Sequence, residues 1–252
     1  MTTAPATPFV GKIIYETKGR AREYRELACN LYAGCGHGCV YCYAPDVVRR
    51  DRTEFYGEPA PRSSILRNLE ADARCYADAG EKRQVLFCFT SDPYQPADER
   101  YLLTRRAIET CHRYGLNVCT LTKGGSRALR DLDLFTPRDA FASTLTLLDA
   151  AQSLEWEPGA ALPDDRLATL QAFHERGIPT WVSLEPVIDP AITLEIIRKS
   201  HKFVDEFKVG RLNYHPQANR VNWRKFALDA IEQLESLGCK YYLKHDLRRL
   251  LS

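Results

Sequence analysis

The chain alternates short apolar runs with amphipathic helical stretches, and no other feature of the sequence constrains its fold as tightly. "QVLFCFT" (84–90) runs straight into "SDPYQP", whose prolines and aspartate mark a loop, so a strand followed by a loop is expected. Over 98–114, Ile108, Cys111 and Tyr114 recur three residues apart and Gly115 stands where a helix C-cap belongs, which predicts a single helix. The pattern repeats through "LNVCTLT" (116–122), "AFASTLT" (140–146), a helix over 164–176, "IPTWVSLEP" (178–186), a helix over 192–201, and "EFKVGRLNY" (206–214). A last helix carries Trp223, Phe226, Ala230, Leu234 and Leu237 before Gly238. With a first strand at Leu27 to Leu31, this makes about six βα units and a parallel sheet. "LEWEPGAALP" (154–163) reads as a surface loop, and "CKYYLKHDLRRLLS" (239–252) as a tail adding a short strand and helix over an open side. A chain of 252 residues with 44% hydrophobic residues supports one core, so a single domain 1–252 is expected, with its core at about 27–238.

A parallel sheet with helices is either an open doubly wound sheet or a barrel. No G-x-G-x-x-G or Walker pattern favours the first. Lys208 between Phe207 and Val209, and Ser183 and Glu185 alternating with Val182 and Leu184, place polar groups on one face of otherwise apolar strands. A barrel with a polar, ligand-filled interior accounts for them; exposure at a sheet edge is the competing account.

Lys plus Arg exceed Asp plus Glu by two, so no broad field compels a nucleic-acid or membrane partner. "MTTAPATPFVGK" lacks a basic then apolar leader pattern, and no apolar run reaches membrane-spanning length, so a soluble, cytoplasmic protein with no membrane partner is expected. Six of the nine cysteines are scattered singly, unlike a secreted disulfide framework. The other three, Cys35, Cys39 and Cys42, are interleaved with Gly34, Gly36 and Gly38. Three chemistries fit that spacing: zinc with His37 as fourth ligand, a disulfide with a leftover thiol, or a [4Fe–4S] cluster held by three thiolates with one iron open.

"CGHGCVYC" followed by "YAP" resembles the cluster-binding motif of the radical S-adenosylmethionine (SAM) superfamily, in which an aromatic residue precedes the third cysteine, as Tyr41 does here. "TSDPYQPADERYLLTRRAIE", "LTKGGSRALRDLDLF", "TLTLLD", "EPGA" and "VSLEPVID" are similar to the spore photoproduct lyase-like subgroup, and the resemblance spans about Leu31 to Tyr214. It implies an α/β fold, an incomplete (β/α)6 TIM-like barrel, with one site-differentiated [4Fe–4S] cluster on Cys35, Cys39 and Cys42. S-adenosyl-L-methionine would bind the open iron through its amino and carboxylate groups. An electron from a flavodoxin- or ferredoxin-like donor would then release a 5'-deoxyadenosyl radical that abstracts hydrogen from a substrate.

The same resemblance assigns cofactor contacts residue by residue. Tyr41 would pack near the adenine. Thr90, Ser91 and Asp92 occupy the place of the superfamily's glycine-rich stretch that meets the methionine amino group, an Asp-Pro turn being the plainer account of them. Lys123 suits the methionine carboxylate. Ser143 and Ser183 would meet ribose hydroxyls or the carboxylate, and Glu185 ribose or substrate. Lys208 and Asn213 would line the far side of the cavity, a pairing of Lys208 with a buried carboxylate being the alternative. Cys88 and Cys119 are candidates to return hydrogen to product, although small buried hydrophobes are the commoner role of such cysteines, and the lyase's donating cysteine aligns with no residue here. For substrate, a nucleic-acid base would use Arg49, Arg50, Arg52, Arg220 and Arg224 as phosphate contacts, where a solvated basic face is the plainer reading of the first three. A small molecule or peptide is the alternative, as is a non-catalytic structural zinc module.

Overall fold

The structure, a computed structural model, describes residues 13–213 and 215–252; the N-terminal stretch read for a leader and Tyr214 lie outside the described residues. In chain order the strands are β1 (Tyr15–Glu16), β2 (Leu27–Cys29), β3 (Tyr32–Ala33), β4 (Ala60–Pro61), β5 (Val85–Phe87), β6 (Val118–Thr122), β7 (Ala140–Thr144), β8 (Thr180–Val187), β9 (Glu206–Arg211) and β10 (Lys240–Leu243). The main sheet runs β1-β2-β5-β6-β7-β8-β9-β10, and every pairing in it is parallel except β1 with β2. β3 and β4 form a separate antiparallel pair. The helices are α1 (Ala44–Val48), α2 (Arg52–Gly57), α3 (Ile65–Asp78), α4 (Pro96–Tyr101), α5 (Leu103–Arg113), α6 (Ala150–Trp156), α7 (Pro163–Glu175), α8 (Pro190–Ser200), α9 (Trp223–Ser236) and α10 (His245–Arg248). This α/β architecture is the incomplete TIM-like barrel expected from the resemblance.

Strand parity separates two packing layers. Val85, Phe87, Val118, Phe141, Val182 and Phe207 join the large core shared with the helices. Ala28, Leu86, Cys119, Leu121, Ala142 and Trp181, on the opposite face, form a smaller cluster that floors the concave side. Both faces are covered, which is why these strands read as near-continuous apolar runs.

Two expectations need correction. The helix over 98–114 is two helices: Leu102 takes a left-handed φ of 47°. Asp98 Oδ1 accepts from the amides of Leu103 and Thr104 at 3.0 Å each and caps α5, a signal that periodicity cannot register. The 154–163 stretch is no surface loop: its start belongs to α6, and Glu157 is buried. The strand and helix expected within 239–252 are β10 and α10, and Lys240–Leu243 pairs in register with Glu206–Val209 and extends the sheet. Among the described residues no helix is long and apolar enough to cross a membrane.

Candidate radical SAM active site

The three closely spaced cysteines lie on the loop between β3 and α1, and backbone contacts from distant segments hold that loop. Gln95, fully buried, donates from Nε2 to Gly34 O (3.2 Å) and accepts from Gly36 N (2.7 Å). Cys35 N donates to Phe55 O (3.1 Å), Val40 N to Trp156 O (2.9 Å), and Gly159 N to His37 O (2.8 Å). A Cβ on Gly159 would stand 2.1 Å from Gly36 O, so only glycine permits this approach. The Tyr41 hydroxyl donates to Glu157, which also accepts from Thr146 Oγ1 (3.0 Å) and pairs with Arg166 at 2.5 Å. Glu157 and Arg166 are each 1% exposed. The "EPGA" stretch is therefore a latch across the cysteine loop.

His37 takes no part as a fourth zinc ligand. Arg127 Nη2 lies 3.1 Å from its Nε2, and a guanidinium only donates, so Nε2 accepts and the proton sits on Nδ1, 3.4 Å from Asp92 Oδ2. Burial, partly offset by Asp92, lowers its pKa and keeps it neutral. Among the described residues no three His, Cys, Asp or Glu side chains converge on one point as ligands of a single metal ion would, whereas the thiolates of an iron–sulfur cluster each take a different iron.

Burial first, then repulsion from Asp92 and Cys39, pushes the Cys35 thiol up. Burial likewise pushes Cys39 up to about 12, with Lys123 opposing and Glu157 and Cys42 adding. The three sulfurs thus sense one another, and each must shed its proton to take a metal. Burial draws the Lys123 ammonium down, but Cys39 and Glu157 outweigh it, so the charge is retained 5.5 Å over the Tyr41 ring. Soft thiolates without a carboxylate among them are the donor set an iron–sulfur centre takes.

The remaining sequence candidates divide by face. Cys119 joins the concave-face cluster and Cys88 packs against it, as alternation requires, with Trp181 Nε1 donating to Cys119 Sγ (3.3 Å). Ser183 and Glu185 share that face by parity with Trp181; Glu185 accepts from the Tyr24 hydroxyl and pairs with Lys244 Nζ at 2.6 Å. Ser143 does not reach it: it shares parity with Phe141 of the helix-side core and donates to Thr122 O (3.2 Å). The Asp92 carboxylate is engaged internally by Tyr94 N (2.8 Å), Thr122 Oγ1 (2.6 Å) and Lys123 N (2.7 Å) besides His37. Burial raises its pKa and these partners more than reverse that. Thr90 N donates to Asn30 Oδ1 (2.7 Å), beside Phe89 at a strained φ of 103°, whose carbonyl accepts from Tyr43. The Ser91 hydroxyl is buried and accepts from Tyr32 N (3.4 Å).

Lys208 meets no buried carboxylate; it donates to the carbonyls of Glu23 and Tyr24 at 2.9 Å each, while Asn213 donates to Arg211 O (3.2 Å). Arg52 is committed to Asp46 (2.8 Å), Tyr56 and the Cys42 carbonyl; Arg49, Arg220 and Arg224 are exposed. Sequence reasoning missed Gln95, Tyr24 and Lys244, whose partners lie 59 to 161 residues away and leave no local signal, and Arg166, whose partner Glu157 is close in the chain but across a turn. Glu157, in the quoted "EPGA", and Gln95, in the quoted "SDPYQP", fell within stretches singled out by resemblance or as a turn, with no role attached to either residue.

Comparison with known proteins decides the family. The signature of the Radical SAM superfamily matches residues 29–204. The chain belongs to the radical SAM superfamily. Enzymes of this superfamily use a [4Fe–4S] cluster and S-adenosylmethionine. An uncharacterised protein of Methanocaldococcus jannaschii is 26% identical over 170 residues, 67% of this chain and 62% of that protein. The chain spans about half to three-fifths of the length of the curated relatives it matches. Among solved structures, a double mutant of spore photoproduct lyase with bound AdoMet and dinucleoside spore photoproduct superposes with a TM-score of 0.68 at 17% identity, covering 90% of this chain and 78% of that one. Streptococcus suis SuiB bound to precursor peptide SuiA gives a TM-score of 0.62 at 12% identity, covering 88% and 50%. Both likenesses are of fold.

Proposed function

We propose that Cys35, Cys39 and Cys42 hold one [4Fe–4S] cluster by three irons, and that the enzyme abstracts hydrogen from a nucleic-acid base. The latch carries this reading: four segments distant in sequence fix a loop whose chemistry is three soft sulfurs, with a density of buried polar contacts that a mere surface turn does not need. When bound, the reduced cluster and S-adenosylmethionine supply a 5'-deoxyadenosyl radical. Lys123 keeps its charge beside Cys39 and Tyr41 and meets the methionine carboxylate. Asp92 positions His37 and the Lys123 backbone, leaving Thr90 and Ser91 backbone groups to the amino group. Ser183 and Glu185 offer acceptors to ribose hydroxyls from the concave face. Cys88 and Cys119 lie on that face as hydrogen sources for the product radical, and a flavodoxin- or ferredoxin-like protein supplies the electron. No disulfide joins any of the nine cysteines, and we place the protein in the reducing cytoplasm.

The test is anaerobic reconstitution of the Cys39→Ala variant. It should lose the brown absorbance and 5'-deoxyadenosine formation; production of that nucleoside at the wild-type rate would remove Cys39 from the site. For the substrate, single-stranded oligonucleotide should accelerate cofactor cleavage in a steeply salt-dependent manner. Acceleration by peptide alone, insensitive to salt, would replace the base with a peptide substrate.

A further inference from the structure

A groove beside the cluster loop has no role in the site described so far. It lies at the C-terminal ends of the strands, between α6, the start of α8 and the turn Pro216–Arg220, and its walls include Leu147, Gln152, Trp156, Ile188, Gln217 and Arg220. We propose that this groove is a nucleobase subsite that stacks one base of the substrate on Trp156, reads its edge with Gln217, and holds the adjoining phosphate on Arg220. The substrate class rests on the reading above; the groove's chemistry does not.

Three observations converge. Trp156 is half-buried, its ring leaning on His215 (centroids 4.9 Å apart) and on Tyr41 (6.4 Å). The ring is thereby fixed while part of its surface stays open, which is what a stacking platform requires. Gln217 Oε1 is buried with no hydrogen-bond partner among the described residues, and an orphaned acceptor of this kind calls for a donor such as a base N–H. The backbone N–H of Gln217 donates to His215 Nδ1 (3.3 Å), which fixes the turn that carries this side chain. Arg220 is exposed and has no acid partner among the described residues, in contrast to Arg52 and Arg105, which are paired. Of the acids nearby, Asp189 accepts from the amides of Ala191 (2.7 Å) and Ile192 (3.4 Å), so its carboxylate is occupied in capping α8. Glu155 is exposed at the rim.

Position gives the groove its purpose. The Trp156 carbonyl accepts from Val40 N, between the second and third cysteines, and the next residue, Glu157, holds Tyr41. A base on Trp156 would therefore lie one residue from the latch. The target base can then be presented to the barrel mouth while its neighbour is anchored outside, which suits a strand of at least two nucleotides.

The experiment is fluorescence anisotropy with the reconstituted holoenzyme and a fluorescein-labelled ten-nucleotide thymidine strand, with thymidine monophosphate and S-adenosylmethionine as competitors. Trp156→Ala should weaken binding about fivefold or more, while Trp156→Phe, which still stacks, should keep most of it. Arg220→Ala, an exposed substitution that leaves folding alone, should lower the slope of log affinity against log salt by about 0.7. Competition by the mononucleotide at comparable affinity identifies free nucleotides as the source, and its failure to compete identifies a strand; either supports the subsite. Wild-type affinity and salt slope in both the Trp156→Ala and Arg220→Ala variants would overturn it, as would displacement of the strand by S-adenosylmethionine. If the wild-type protein forms no 5'-deoxyadenosine, the cluster reading fails whatever the groove binds; if it does and the variants bind normally, the groove alone fails.

Discussion

Glu157 and Arg166 form a charged pair almost without solvent, and Tyr41 and Thr146 satisfy the remaining valence of the carboxylate. Burial raises Glu157 while Arg166 and Lys123 bring it below the ordinary range, so it is ionised throughout the neutral region. Removing only one partner strands the other charge. Glu157→Ala should therefore cost about 3–5 kcal/mol of stability in urea denaturation, and the Glu157→Met, Arg166→Met double variant much less. A loss in the single variant no larger than in the double one would show that the charge is not desolvated. Lys208, 5% exposed, has the opposite balance: burial, then repulsion from Arg25, lowers it to about 8 from the usual 10.5. Between those values the unfolded chain binds more protons than the folded one, so stability attributable to Lys208 rises as pH climbs from about 8 to about 10.5. Subtracting the Lys208→Met curve from the wild-type curve should isolate that rise. A flat difference would mean that the carbonyls of Glu23 and Tyr24 hold the ammonium as well as water does.

At the scale of elements, the cysteine loop and "EPGA" touch backbone to backbone. A methyl at position 159 would lie 2.1 Å from Gly36 O and 2.9 Å from His37 Cα, so Gly159→Ala must shift one strand of the contact. We expect reconstituted protein to keep its circular dichroism but bind less iron and sulfide than wild type; full iron content would show that the latch tolerates displacement. This contact also marks the limit of what the sequence discloses. The strands at 118–122, 140–144 and 180–187 were legible because apolar runs between helices repeat a local physical pattern. Proline and glycine at 158 and 159 carry the composition of a surface turn, and nothing local says that the His37 carbonyl accepts from Gly159 N. The break at Leu102 was hidden for a related reason, since Asp98 looks like any helical aspartate until its side chain turns to cap the following helix. The spacing of Cys35, Cys39 and Cys42 stands out in the sequence without any fold, whereas the face that Ser143 serves is set by its strand's register and not by its residue type.

Across the whole molecule, the sheet has two ends, and the segment after β1 ties them together. β1 pairs with β2 at one end, while Arg20 meets Asp246 at 2.6 Å and Glu23 accepts from His245 N (2.6 Å) and Tyr242 (3.3 Å) at the other. Lys208 grips the carbonyls of Glu23 and Tyr24 from β9, and Lys244 lies 3.6 Å over the Tyr24 ring while holding Glu185. An incomplete barrel is thus closed by a polar strap in place of further strands, and Glu185 on the concave face depends on it. The strap is made of exposed and half-buried side chains, so it should open at lower free energy than the strands it bridges. Glu23→Ala removes acceptors from both the strap and β10 without touching β6 or β7. Hydrogen exchange should therefore quicken together at Gly19–Glu23 and Lys240–Leu243, while the amides of Val118–Thr122 and Ala140–Thr144 keep their wild-type rates. If β10 stayed protected while Gly19–Glu23 alone quickened, the far edge would be held by its pairing with β9, and the strap would be a passenger on a barrel edge that needs no closure.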